Sequence, residues 1–273
     1  MIHLLAQRNG ITISTFDFQK SIVLDELNNK ILEIENLFLL NNIILENNDK
    51  INIQITNTRD WSIIFNIKNE ITTNIITTLC EDIKLKYFEI NKLVLKNLYL
   101  EEIYFDKIIK RSAFSFHQND ENIREILYDN IYKFVLLKDF KKIIFLGGEM
   151  YLYGKFIDAD QKYFYSDYKS IVDDTVHNNI NSKYVKLIDY ADKSIKIESG
   201  NMILVNNGKS GLGINLCQKI LENEYEWIII ISCNNKSFEN DYKILNMKYK
   251  IINKLEIFTN YLINLIFLQN LRR

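Results

Sequence analysis

At 273 residues with a formal net charge of −1, the chain can form one large domain or two modest ones, and it has no global basic field advertising nucleic-acid binding. Its three cysteines, Cys80, Cys217 and Cys233, show neither a metal-ligand spacing nor an even-numbered disulfide framework. That count implies reduced thiols in a cytosol-like compartment and argues against a four-cysteine iron–sulfur site.

The chain lacks proline and is rich in Ile, Asn and Lys, a coding bias that removes prolines from any motif that would carry them. Met1-Ile2-His3-Leu4 is not a charged region followed by a long apolar one, so no signal peptide is expected. Apolar runs such as Ile228–Ile231 and Leu262–Leu268 are too short to span a bilayer. A cytoplasmic monomer is the expectation.

Within residues 1–110, Ile51–Thr56 alternates, Trp61–Ile67 is apolar with polar interruptions, and Leu85–Leu100 mixes aromatic, β-branched and lysine residues. This pattern predicts a smaller, strand-rich α+β domain. Residues 111–273 read differently. Gly10 stands alone, whereas the other seven glycines lie between 147 and 213 and mark turns. Helical spacing predicts a helix over Asn122–Leu137, and Lys142–Leu146 is a strand ending in Gly147-Gly148. Lys162–Ser166 is a strand ending at Asp167, with a helix over Tyr168–Asn179, and Tyr184–Ile188 is a strand ending at Asp189. Met202–Val205 is a strand ending in Asn206-Asn207-Gly208, before a helix over Leu212–Glu222. The isoleucine run in Trp227–Ser232 reads as a strand buried on both faces, followed by a helix over Lys236–Leu245. Tyr249–Phe258 and Tyr261–Leu268 close the chain as strands. The alternation predicts a doubly wound, mostly parallel α/β sheet of Rossmann-like type with an antiparallel edge.

Ligands of such sheets sit in the crevice at the carboxyl ends of the strands. Cys233 falls just past the end of the isoleucine strand. It is either a small buried hydrophobe or a nucleophile, and the Ser232-Cys233-Asn234 context favours the nucleophile. Asp167 is placed to accept from a ribose hydroxyl pair.

Together these segments resemble the RNA 5-methyluridine (uracil-C5) methyltransferases, most closely the tRNA (uracil-5-)-methyltransferases. Phe116-His117-Gln118 is similar to the family's F-x-Q segment. Asn206-Asn207-Gly208-Lys209-Ser210-Gly211 stands where the family has D-P-P-R-x-G, and Ser232-Cys233-Asn234-Asn235 where it has S-C-N-P. The Gly-Leu-Gly helix start and the Asn-x-x-Ser-Phe-x-x-Asp run at 234–241 add to the likeness. The resemblance implies a class I methyltransferase domain over 111–273 that uses S-adenosylmethionine and no metal. It implies cofactor contacts from Gln118, Gly147, Gly148, Asp167 and Asp189. Cys233 and Asn206 become the catalytic candidates, and Phe116, Lys209 and Asn234 the substrate contacts. In that chemistry the thiolate adds to C6 of uracil, C5 takes the methyl group, and a base removes the C5 proton. An embedded base is out of reach of such a thiol, so the implied substrate is an RNA loop uridine, in tRNA by analogy, flipped from its stack.

Alternatives stay open for single residues. Asn206 is also a turn-former, Lys209 a solvated surface lysine, Phe116 a core residue, and Gly147-Gly148 a plain tight turn. The chain also departs from the family pattern. Asn206 replaces Asp, Lys209 replaces Arg, and Phe145–Met150 lacks the acidic strand-end residue and second glycine of the cofactor loop. The C-terminal H-x-E, whose Glu is the base, falls near Ile263 and Asn264, and no Glu follows Glu256. These departures motivate a second expectation, a methyltransferase-like fold that binds RNA or protein without catalysing. A third is a methyltransferase of different substrate in which Cys233 is structural.

Overall fold

The computed structural model describes residues 2–7, 10–14, 21–46, 49–56, 58–116, 121–178, 184–207, 210–258 and 262–272, with side chains from residue 25 onward except at 121. The chain divides into two compact units, 1–113 with 119–122, and 114–118 with 123–273.

The first unit contains β1 (Ile2–Gln7), β2 (Gly10–Ser14), α1 (Ser21–Leu40), β3 (Lys50–Ile55), β4 (Trp61–Asn66), α2 (Thr73–Glu81), β5 (Leu85–Ile90) and β6 (Leu93–Asn97). A separate hairpin follows, β7 (Leu100–Tyr104) with β8 (Lys107–Arg111). The six strands form one sheet in the order β2-β1-β3-β4-β5-β6. All its pairs are antiparallel except β4–β5, which are joined through α2 as a βαβ unit. Leu27, Ile31, Ile34 and Phe38 recur at helical spacing along α1 and bury one stripe against Ile51, Ile53, Ile63 and Phe65 of the sheet. Trp61 is fully buried there, its indole N–H donating to Asp82 at 3.0 Å.

The second unit contains α3 (Glu121–Leu136), β9 (Lys142–Gly147), α4 (Met150–Phe156), β10 (Gln161–Ser166), α5 (Lys169–His177), β11 (Tyr184–Leu187) and β12 (Met202–Asn206). It continues with α6 (Gly213–Asn223), β13 (Trp227–Ser232), α7 (Asn235–Leu245), β14 (Tyr249–Phe258) and β15 (Leu262–Asn270). Its seven strands run in the order β11-β10-β9-β12-β13-β15-β14. The first five are parallel, and β15 pairs antiparallel with β13 on one side and β14 on the other. The fold is therefore the doubly wound, mostly parallel α/β class that the alternation predicts. The last strand of the chain inserts inside the preceding one, so the antiparallel pairing spans the final three positions of the sheet. A helix the sequence reading leaves out, α4, follows the glycine turn directly, and Gly154 in its middle hides its helical pattern.

Successive side chains of each strand face opposite sides of the sheet. Ile144, Leu146, Val205, Ile228, Ile230, Ile266 and Leu268 pack with Leu216, Ile220, Phe238 and Leu245 of α6 and α7. On the opposite face Phe134 of α3 meets the Trp227 and Phe267 rings at 5.0 and 4.7 Å. Burial on both faces is what the run of isoleucines requires. No described helix is long and apolar enough to cross a membrane.

Candidate functional site

Parallel strands bring their carboxyl ends to one edge of the sheet. The order of the strands reverses between β9 and β12, which makes that junction the switch point of the fold. Gly147 and Asn206 stand opposite each other there, in register. Gly147 has φ +97°, and a Cβ on it would lie 2.1 Å from the Asn206 carbonyl oxygen, so only glycine fits. The next amide, Gly148 N, donates to that same oxygen at 2.7 Å. A Cβ on Gly148 would lie 2.7 Å from Phe116 Cδ1, and the Tyr151 hydroxyl donates to the Phe116 carbonyl at 3.3 Å. The half-exposed Phe116 ring thus lies over the glycine turn rather than in the core.

Glu149 follows in a left-handed conformation, φ +57°, and is 1 % exposed. Its carboxylate accepts from the Tyr128 hydroxyl and from Asn206 Nδ2, both at 3.0 Å. Beside it the Tyr153 hydroxyl is buried with no hydrogen-bond partner among the described residues. Burial first, and then the Glu149 charge, pushes that phenol well above its ordinary pKa. The carboxylate of this loop therefore lies inside the glycine turn and not at the strand end. Glu149 is absent from the residues selected by sequence, where the glycines alone mark this loop. The available signal was an acidic residue enclosed by apolar ones in Leu146–Leu152, which can be buried only if it is hydrogen-bonded.

At the neighbouring strand ends, Asp167 and Asp189 are exposed. Partial burial raises the Asp167 carboxyl above its usual range, and the nearby Asp189 charge adds to this. The largely buried Tyr190 hydroxyl lies beside Ser166 and Asp167, and burial pushes it well above its ordinary pKa. Two carboxylates on adjacent parallel strands can accept from a diol and from an N–H group, which suits the nucleoside part of S-adenosylmethionine.

On the other side of the switch point, Ser232-Cys233-Asn234 turns the chain from β13 into α7. Ser232 Oγ accepts from Asn234 N at 3.3 Å and donates to the Asn234 carbonyl at 3.1 Å. Asn234 caps α7, its side chain accepting from Ser237 N at 3.3 Å. Cys233 is half-buried just before that cap. Asp241 of α7 holds the start of α6, accepting from Leu212 N at 2.7 Å and Gly213 N at 3.1 Å. This clamp gives the Asn-x-x-Ser-Phe-x-x-Asp run a structural purpose at both of its ends. Burial pushes the Asp241 carboxyl up, against the lowering effect of those two amides.

Opposite Ser232, in register on β15, stands Asn264, fully buried. Its Nδ2 donates to Asn235 Oδ1 at 2.7 Å, and its Oδ1 has no hydrogen-bond partner among the described residues. Glu256 of β14 is in turn opposite Asn264, exposed and paired with Lys254 at 2.6 Å. The junction of β13 and β15 next to the Ser232–Asn234 turn thus carries a buried amide.

The structure brings Gly147, Gly148, Asn206 and Phe116 into contact. It sets Asp167 with Asp189 at the ends of β10 and β11, and Cys233 with Asn234 at the end of β13. Gln118 and Lys209 lie outside the described residues. Among the described residues no three His, Cys, Asp or Glu side chains gather as a metal site.

No protein-family model matches the chain, and no curated protein is similar to it at a significant level. Solved structures do match. The Pyrococcus abyssi tRNA (uracil-54, C5)-methyltransferase, crystallised with S-adenosyl-L-homocysteine, superposes with a TM-score of 0.69 at 15 % identity, over 98 % of this chain and 74 % of that one. The N-methyltransferase NodS of Bradyrhizobium japonicum, also with S-adenosyl-L-homocysteine, covers 53 % of this chain and 88 % of its own, at 7 % identity and a TM-score of 0.44. At such identities the likeness concerns the fold. The chain has a methyltransferase fold.

Proposed function

We propose that the chain is an S-adenosylmethionine-dependent RNA uracil-C5 methyltransferase, with a tRNA loop uridine as substrate and Cys233 as nucleophile. The observation that carries this is the place of Cys233, half-buried on the turn that ends β13, one strand from the Gly147–Asn206 junction. The likeness to a tRNA (uracil-54, C5)-methyltransferase over nearly the whole chain brings tRNA and cofactor into the proposal.

The fit to the cofactor rests on Asp167 and Asp189 for the nucleoside end and on the close backbone approach at Gly147 and Gly148. When bound, S-adenosylmethionine supplies an electrophilic methyl group on a sulfonium. The Cys233 thiolate forms a bond to C6 of uracil, and the C5–C6 π pair moves toward O4. Addition at C6 leaves C5 electron-rich and able to accept that methyl group, whose bonding pair would stay with the donor sulfur. Loss of the C5 proton restores the double bond and expels the thiolate. The positive end of α7 faces the turn that carries Cys233 and favours an anion there.

One observation favours a second reading, a fold that binds RNA without turning over. Asn264 cannot accept the C5 proton, and Glu256 is exposed and already ion-paired. Titration of S-adenosylmethionine into the purified protein, with methyl transfer to tRNA measured for wild type and Cys233→Ala, separates the two. The proposal expects cofactor binding and transfer that vanishes in the folded Cys233→Ala protein. Transfer persisting in that variant removes Cys233 from the mechanism, and no cofactor binding at millimolar ligand leaves the second reading.

A further inference from the structure

An amide side chain has a donor end and an acceptor end, and what it reads depends on which end is pinned. Asn206 is 6 % exposed, and its Nδ2 donates to Glu149 Oε2 at 3.0 Å. A carboxylate only accepts, so the amide nitrogen faces Glu149 and the oxygen faces away. Glu149 is set by the turn after Gly147-Gly148 and held from α3 by the Tyr128 hydroxyl at 3.0 Å. The main chain adds a second tie, from Gly148 N to the Asn206 carbonyl at 2.7 Å. Asn206 is thereby fixed at both backbone and side chain from one turn. Among the described residues no hydrogen bond reaches its Oδ1.

Resting on the uracil reading above, we infer that Glu149 is a positioning residue for base selection, which holds Asn206 as an acceptor toward the N3–H of uracil. Uracil carries a donor at N3 and cytosine an acceptor, so the pinned oxygen welcomes one and repels the other. Glu149 itself does not touch the base.

The test uses the full chain and RNA hairpins that differ only in one loop uridine or cytidine. Wild type should bind the uridine hairpin at least about tenfold more tightly, the value of one hydrogen bond made rather than opposed. Glu149→Met removes the acceptor, frees the amide to turn, and should bring the ratio near unity. The double variant Glu149→Gln with Asn206→Asp reverses donor and acceptor, leaves an oxygen at 206, and should regain the uridine preference. A merely structural role for Glu149 would lower affinity for both hairpins alike. In parallel, the Asn206 side-chain amide protons should exchange slowly in wild type and fast in Glu149→Met.

A folded Glu149→Met protein that keeps the uridine preference overturns the inference while leaving the proposed function intact. Fast exchange of those protons in wild type overturns it as well. Slow exchange with no uridine preference in wild type overturns base selection together with the uracil reading. If Glu149→Met does not fold, the double variant decides, and loss of preference there overturns the inference.

Discussion

Replacing Gly147 by alanine tests how tightly the switch point is built. The new Cβ would sit 2.1 Å from the Asn206 carbonyl oxygen, whereas ordinary contact begins at 3.4 Å. The ends of β9 and β12 would have to part by the difference, about 1.3 Å, if packing contacts are to be kept. That movement stretches the Gly148 N–Asn206 O bond from 2.7 Å to about 4 Å, beyond hydrogen-bond range. Alanine at positive φ costs about 1–2 kcal/mol, and a buried amide left without its acceptor about 1–3 kcal/mol, giving about 2–5 kcal/mol in all. Gly213→Ala is the control, because it also has positive φ, +74°, but open space around a Cβ. It should cost about 1–2 kcal/mol, the conformational part alone. With a urea slope of about 2 kcal/mol per molar, the Gly147→Ala midpoint should fall about 0.5–1.5 M below that of Gly213→Ala. Equal midpoints for the two variants would refute the steric argument, and with it the claim that Gly147 and Asn206 are locked together. Cofactor affinity, measured on the same proteins, should fall with Gly147→Ala and stay near wild type with Gly213→Ala.

Asp241→Ala leaves the Leu212 and Gly213 amides without their acceptor and should cost about 2–4 kcal/mol by chemical denaturation. Because a Cβ on Gly211 would lie 2.6 Å from Asp241 Oδ2, Gly211→Ala should be less damaging in the Asp241→Ala background; strict additivity in that double-mutant cycle would contradict the clamp. In the first unit, burial alone would raise the Asp82 carboxyl, but hydrogen bonds from Lys30, the Lys84 amide and Trp61 outweigh it and hold it below its ordinary 3.8. The stability this gives is fully present above pH 3.8 and is lost as pH falls through the lower folded-state value, so Asp82→Asn should flatten the acid side of the stability profile below that pH. An unchanged acid slope would show that Asp82 is not coupled to folding. Burial, and then Asp241, push the Cys217 thiol far above its usual range, so Cys217 should resist iodoacetamide at pH 8 while half-buried Cys233 reacts; rapid native-state labelling of Cys217 would contradict its burial.

Much of the second unit is legible in the sequence because its strands are buried on both faces. A run such as Trp227–Ser232 has few other ways to fold, and the strand ends then follow from the glycines and polar residues that stop each run. What local pattern cannot supply is strand order. The insertion of β15 between β13 and β14 is a long-range choice, and it alone sets Asn264 opposite Ser232. In the first unit, the buried stripe Leu27, Ile31, Ile34 and Phe38 has helical spacing that the sequence reading leaves out.

For the site, residue types at strand ends are visible in one dimension, but their commitments are not. Asn234 reads as a substrate contact, and the fold adds a cap on α7 through its side-chain oxygen. Asn206 reads as a residue with two open hydrogen-bonding ends until Glu149 takes one of them. Glu149 itself looks like an interruption of a glycine loop, and only the fold reveals it as the buried carboxylate that organises that loop.

The most direct test of the account is intact-protein mass measurement after incubation with S-adenosylmethionine and a tRNA transcript containing 5-fluorouridine. Fluorine at C5 cannot leave as the proton does, so a thiol that has added to C6 stays attached. The account predicts an RNA-linked, methyl-bearing adduct that maps to Cys233 and is absent from Cys233→Ala. A folded, cofactor-binding wild-type protein that forms no such adduct would contradict it.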